Sequence, residues 1–287
     1  YWNRGSRSHE HWVRAFDRAR YNKYLKWAVM WANHTPPGSH SVEDQRAVTR
    51  YWIDNYFNKP YYYRIDGRPV VVIWQPGNMR RDLGPHGTHK LLHISQEMAK
   101  EAGLPGICFI AMKWPEAAVD AQAIETLKAD GFSMTSIYHY MGTGDRTPAN
   151  PARYDFSLVA ESSPEFWNRN HKAGVLPFLP NLSTGWNDFP WHFYGGTAVE
   201  NRTPELFREI CRDARRFADR TGIRRLVLAP LNEWGEGSYA EPNREYKFKM
   251  YEAVRDAFAT PPSGGWPLNY GPEAVGLGPY PLDPAAP

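Results

Sequence analysis

The chain has 287 residues, 42% of them hydrophobic and 23% charged, with a formal net charge of +3. That length buries a sizeable core and fits one large α/β domain better than two small ones, and the composition is that of a globular protein rather than a disordered one. No apolar run approaches the roughly 20 residues that a transmembrane helix needs, and the weak positive charge, dispersed beside acidic neighbours, does not suggest nucleic acid as a partner.

Taken in order, Tyr1 to Gly5 reads as the tail of a strand, and residues 9–24 as a helix with Trp12, Ala15, Phe16, Ala19 and Tyr24 near helical spacing. Residues 26–33 form a strand that ends at His34 before Pro36-Pro37. Ser41 caps a helix with Glu43 and Asp44 in its first turn, and that helix stops at Pro60. Asp66-Gly67 is a turn, 69–74 a buried strand, 75–87 a Gly/Pro-rich loop, 89–102 a helix ended by Gly103, and 107–112 a strand leading to Lys113 and Trp114. A helix over 117–128 is stopped by Gly131. The strand 133–140 ends in Tyr138-His139-Tyr140 and opens into a long loop through Pro151. A helix over 156–173 is broken near Pro164, and a strand over 175–182 opens into Thr184, Trp186, Asn187 and Trp191. Thr203-Pro204-Glu205 starts the next helix, residues 244–258 form the last one, and the Pro/Gly-rich segment 260–287 is a surface tail.

Strand alternating with helix at this spacing makes a parallel sheet with crossover helices. There are about six complete strands plus the stub at Tyr1, where a closed (β/α)8 barrel needs eight. A doubly wound open sheet is the alternative, although no G-x-G-x-x-G or G-x-x-x-x-G-K-[ST] phosphate loop follows any strand.

The stretch 225–242, R-L-V-L-A-P-L-N-E-W-G-E-G-S-Y-A-E-P, organises the rest. Leu226 to Ala229 is a short buried strand that delivers the chain to a glycine-permitted loop. Glu233 and Glu236, beside Trp234 and two glycines, suit acid/base work on a sugar: one acid protonates a leaving oxygen while another group removes a proton or attacks. The plainer reading is a solvated acidic turn, which would have no need of Asn232 and Trp234 at a strand end. The unusual aromatic content, 15% with 12 Trp, fits stacking on sugar rings, though these residues also fill cores.

N-E-W-G-E-G-S-Y-A-E-P at 232–242 resembles the signature of the glycoside hydrolase family 99-like, WbsX-type proteins. The resemblance extends more loosely through K-W-A-V-M-W-A-N-H at 26–34, Y-W-I-D-N-Y-F at 51–57 and R-I-D-G-R-P-V-V-V-I-W at 64–74. It implies a (β/α)8 TIM-type barrel over 1–259 whose first strand and most of whose second precede Tyr1. It also implies a retaining mechanism in which Glu236 is the general acid and then the base. Glu233 would deprotonate the sugar's own 2-hydroxyl to give a 1,2-anhydro sugar. Gly235 and Ser238 stand where the true endo-α-1,2-mannosidases tend to carry His and Thr, so mannan specificity does not transfer.

In a barrel the strand ends converge on one mouth. That gathers Trp2, His34, Gln75, Lys113, Trp114, Tyr138, His139, Tyr140, Thr184, Trp186, Asn187, Asn232 and Trp234 around the two glutamates, as a cleft for an oligo- or polysaccharide. The residues alone leave a direct carboxylate nucleophile or an inverting pair open, because the separation of the acids is not written in the sequence. A WbsX-type glycosyltransferase of polysaccharide synthesis and a non-catalytic carbohydrate-binding barrel are the alternatives; for the former the chain carries no D-x-D motif.

No cofactor or metal is called for. His89 and His93 have i, i+4 spacing, but no H-E-x-x-H surrounds them and they sit on an outer helix. No G-x-S-x-G elbow supports an esterase. Cys108 and Cys211 read as buried thiols, and a processed N-terminus would favour a secreted or periplasmic location.

Overall fold

The computed structural model describes residues 5, 10–33, 36–113, 120–140, 153–192 and 196–271. Trp2, His34 and Trp114 of the expected cleft lie outside these residues, as do the stub at Tyr1 and the tail beyond 271. The parallel sheet is present. Val29–Trp31, Arg68–Ile73, Cys108–Lys113 and Met134–Ile137 pair side by side, each with the next. A parallel bridge from Thr135 to Phe178 carries the wall on to Asn181–Ser183, which pairs in parallel with Val227–Ala229. Along this wall the strands follow one another in chain order, with no reversal of the kind that defines a doubly wound sheet; Arg153–Asp155, Ala198–Glu200 and Trp186–Asn187 form a separate small sheet. Among the described residues the first and last strands of the wall do not pair with each other, so the wall is not closed.

Alternation along the strands sorts their side chains into two layers. Val71, Ile73, Phe109 and Ala111 face the helices, where they meet Trp27, Trp31, Trp52, Leu91 and Leu92. Val70, Cys108, Ile110, Leu179 and Ile65 form a separate cluster on the other face. A third cluster packs Trp167, Phe166, Phe207, Ile210, Phe217 and Met250 beneath the last strands.

The helices are α1 (His11–Arg18), α2 (Val42–Trp52), α3 (Pro76–Leu83), α4 (Gly87–Glu101), α5 (Ala121–Asp130), α6 (Phe156–Lys172), α7 (Pro204–Thr221) and α8 (Lys249–Phe258). Their ends follow local chemistry. Ser41 Oγ accepts from Asp44 N at 3.1 Å to start α2, and Thr203 Oγ1 accepts from Leu206 N at 3.2 Å to start α7. Gly131 and Gly222 close α5 and α7 in the left-handed region, at φ 106° and 75°.

Two sequence expectations are corrected. The segment after Gln75 is not a loop: Pro76 occupies the first turn of α3, which Gly84 ends at φ 80°. Proline is tolerated there because a first-turn N–H has no helical partner to lose. The helix over Phe156–Lys172 is not broken by Pro164. Ser163 Oγ donates to Val159 O at 2.6 Å, so a side chain bonds the preceding turn next to the missing amide.

Both cysteines are buried and free, and burial pushes the Cys211 thiol up to about 12. No helix among the described residues is long and apolar enough to cross a membrane.

Candidate active site

The strand Val227–Ala229 hands the chain to a short hairpin in which Asn232 pairs with Tyr239 and Glu233 with Ser238. One turn of 3-10 helix, Trp234–Glu236, fills its tip. This acid turn is fastened from several sides. Ser238 Oγ donates to the Gly185 carbonyl. Arg202 Nη1 donates to Thr184 O at 2.5 Å and to Gly237 O at 2.9 Å, with its guanidinium 4.2 Å from the Tyr239 ring centre. Trp191 Nε1 donates to Gly235 O at 2.6 Å. Gly237 sits at φ 61°, and a Cβ there would lie 2.8 Å from Asn187 Cβ, so both its conformation and the close approach require glycine.

Glu236 is partly buried while Glu233 is exposed. Burial, then the charges of Glu233 and Asp188, push the Glu236 carboxyl up to about 7. Burial and the same two glutamates push the Tyr138 phenol upward. Tyr138, Glu233, Glu236 and Asp188 therefore share one electrostatic site, at the ends of Met134–Ile137 and Val227–Ala229. Trp74, after the strand Arg68–Ile73, backs Tyr138 edge-on at 4.4 Å.

The remaining expected residues divide. His139 is buried, and that burial lowers its imidazole to about 3, so it acts as a neutral group. Its Nε2 lies 3.5 Å from Ser238 Oγ, and its ring meets Trp186 at 4.5 Å. Trp186 is half-buried, with its Nε1 unpartnered among the described residues. Trp234 is 47% exposed, stacks on Tyr239 at 4.0 Å, and donates from Nε1 to Glu241 Oε2 at 3.0 Å. Asn232 is exposed on the hairpin, and Asn187 Oδ1 accepts from Phe189 N at 3.2 Å.

Three strand-end residues are turned to structural work. Tyr140 is buried in the helix-packed core, stacked on Phe166 at 4.4 Å with its hydroxyl donating to Ser162 Oγ at 2.9 Å. Thr184 Oγ1 donates to Pro230 O at 2.8 Å, and Lys113 Nζ donates to Asn170 Oδ1 at 3.3 Å. Gln75 is held by its backbone: its N–H donates to Asn33 Oδ1 at 2.7 Å, while Asn33 Nδ2 donates to Gln75 O at 2.9 Å. Behind them His40 Nδ1 meets Asp82 Oδ2 at 2.7 Å.

Sequence reasoning missed Asp188 and Arg202. Asp188 follows Trp186 and Asn187, and its acidity gains meaning only where the fold sets its charge against Glu236. Arg202 precedes a helix cap, and nothing local marks it as the strut of a turn 35 residues away.

Among the described residues no group of three His, Cys, Asp or Glu side chains could hold a metal ion. His89 Nδ1 instead meets Ala129 O at 3.0 Å.

The described fold is a parallel strand wall packed with helices, with the two glutamates in the hairpin that follows its last strand. The chain belongs to the family described as glycosyltransferase WbsX, whose model matches residues 1–254. Among solved structures it is similar to a glycoside hydrolase-like protein, at 16% identity and a TM-score of 0.64, over 88% of this chain and 76% of that one. It is also similar to the family 99 endo-α-mannosidase of Bacteroides thetaiotaomicron, at 16% identity and a TM-score of 0.55, over 90% of this chain and 72% of that one. At these identities the likeness is one of fold. No curated protein matches the chain.

Proposed function

We propose that this protein hydrolyses glycosidic bonds in an oligo- or polysaccharide, with Glu236 as general acid. The observation that carries the reading is the Glu236 carboxyl held at about 7 by burial and by the Glu233 and Asp188 charges. An acid that keeps its proton near neutral pH beside a second carboxylate has the division of labour that glycoside cleavage requires. Glu236 gives its proton to the leaving oxygen and, as a carboxylate, then takes one from water. Glu233 removes the proton of the sugar 2-hydroxyl, whose oxygen attacks the anomeric carbon as the glycosidic bond breaks. Water reopens the 1,2-anhydro sugar with net retention. Tyr138, whose phenol feels the charge of both glutamates, offers a hydroxyl to the carboxylate or to the ring.

The family's description supports a second reading, glycosyl transfer. The charges of Glu233 and Asp188 beside Glu236 disfavour the diphosphate of a sugar-nucleotide donor. Incubation of the protein with glycans in water, with and without sugar nucleotides, separates the two. Release of reducing sugar without a donor is the expected result, and a product that forms only with a donor would overturn the reading.

A further inference from the structure

Trp191 is absorbed by neither the fold nor the acid pair. Its indole is 67% exposed, yet it is fixed in place. Nε1 donates to Gly235 O at 2.6 Å, so the ring is pinned one residue from Glu236. The turn that carries it is hydrogen-bonded as well. Trp191 N and His192 N donate to Asp188 O at 2.9 and 3.0 Å, and Asp188 exchanges bonds with Thr197 through its backbone N–H at 3.1 Å and its Oδ1 at 2.5 Å.

Gly235 is what admits the indole. A Cβ at 235 would lie 3.2 Å from Trp191 Cζ2 and 3.3 Å from Nε1. Those contacts are tighter than ordinary van der Waals packing, and a longer side chain at 235 would have to cross the indole or displace it. The one polar atom of the indole is already bonded, so what Trp191 presents outward is flat apolar surface beside Gly235 of the acid turn. Trp234, on the other side of Gly235, differs because it is stacked on Tyr239 at 4.0 Å.

We infer that Trp191 is the stacking platform of a sugar subsite on the leaving-group side of Glu236, and that Gly235 sets this specificity by leaving room for the indole. This assignment rests on the reading of Glu236 as the acid, since the group it protonates departs on its own side. The occupant is an uncharged pyranose. Its C–H face matches an indole, while the charges of Asp188 and Glu233 repel carboxylated or sulfated sugars.

The test is binding, which does not depend on turnover. Glu236→Gln protein, and the same protein carrying Trp191→Phe or Trp191→Ala, is titrated with a panel of uncharged oligosaccharides by calorimetry and tryptophan fluorescence. Stacking predicts that Trp191→Ala weakens binding by about three- to tenfold, whereas Trp191→Phe, which keeps a flat ring but lacks Nε1, stays near the parent. Equal affinity in all three proteins, no binding by any, or equal weakening in Phe and Ala would overturn the subsite. Trp191-dependent binding by a wild type that cleaves nothing would remove the acid reading and leave the platform. Cleavage indifferent to Trp191 would do the reverse.

Discussion

At the scale of single residues, the proposed hydrolysis turns on one proton. Burial and two neighbouring carboxylates keep Glu236 protonated to about pH 7, so the acid form is present below that value and is lost as pH rises through it. We predict that kcat/KM falls on the alkaline side near pH 7. Asp188→Asn removes one of the charges holding the proton, so the limb should move to lower pH; an unmoved limb would detach Asp188 from the acid.

The same shift makes a stability prediction. Between the ordinary carboxylate range and pH 7 the folded protein binds a proton that the unfolded chain releases, so stability declines across that window. Glu236→Gln, which has no charge to desolvate, should be more resistant to urea than wild type at pH 8, and the gap should narrow towards pH 4. The glutamates were legible in the sequence because their motif is local. Asp188 and Tyr138 became partners only through folding, which brings together strand ends that lie far apart along the chain.

At the scale of elements, the acid turn is a short piece of chain with little internal structure, held from outside. Arg202 spans the carbonyls of Thr184 and Gly237 while lying against Tyr239 and Tyr246. Lysine keeps the charge but not the flat, forked donor geometry. Arg202→Lys should therefore lower kcat with only a small change in melting temperature, and a large loss of stability with unchanged kcat would make Arg202 a general strut instead.

Helix caps behave differently. Thr203→Ala removes the acceptor for Leu206 N and should cost about 1 kcal/mol in denaturant unfolding with little effect on kinetics. That cap was readable from Thr203-Pro204-Glu205. Helix α3 was not, because Pro76 and Gly77 read as loop signals although proline is at home in a first turn. Pro164 misled in the opposite sense: packing of Phe156, Val159, Phe166 and Trp167 keeps α6 continuous through it.

At the scale of the whole molecule, the alternation of strand and helix predicted the parallel wall but left the order of its strands open between a barrel and a doubly wound sheet. The reason is physical: parallel neighbours need a crossover helix between them, whichever order the strands take. Whether the wall closes is a property of strands far apart in sequence, and periodicity carries no information about it. The two helix-facing clusters are large and aromatic. Trp167, fully buried against Phe217 at 6.0 Å, is a point where truncation should be felt throughout. Trp167→Ala should cost about 3–5 kcal/mol by chemical denaturation.

The mouth of this wall is where fold and chemistry meet, and the account stands on Glu236. The most direct measurement is release of reducing sugar from natural-linkage oligosaccharides and from activated aryl glycosides, by wild type and Glu236→Gln side by side. The account predicts that wild type cleaves both. Glu236→Gln should lose about 10²- to 10⁴-fold on the natural linkages, whose leaving groups need a proton, and keep most of its activity on the aryl glycosides, whose leaving groups do not. Equal loss on both, or cleavage of natural linkages undiminished by the substitution, would contradict it.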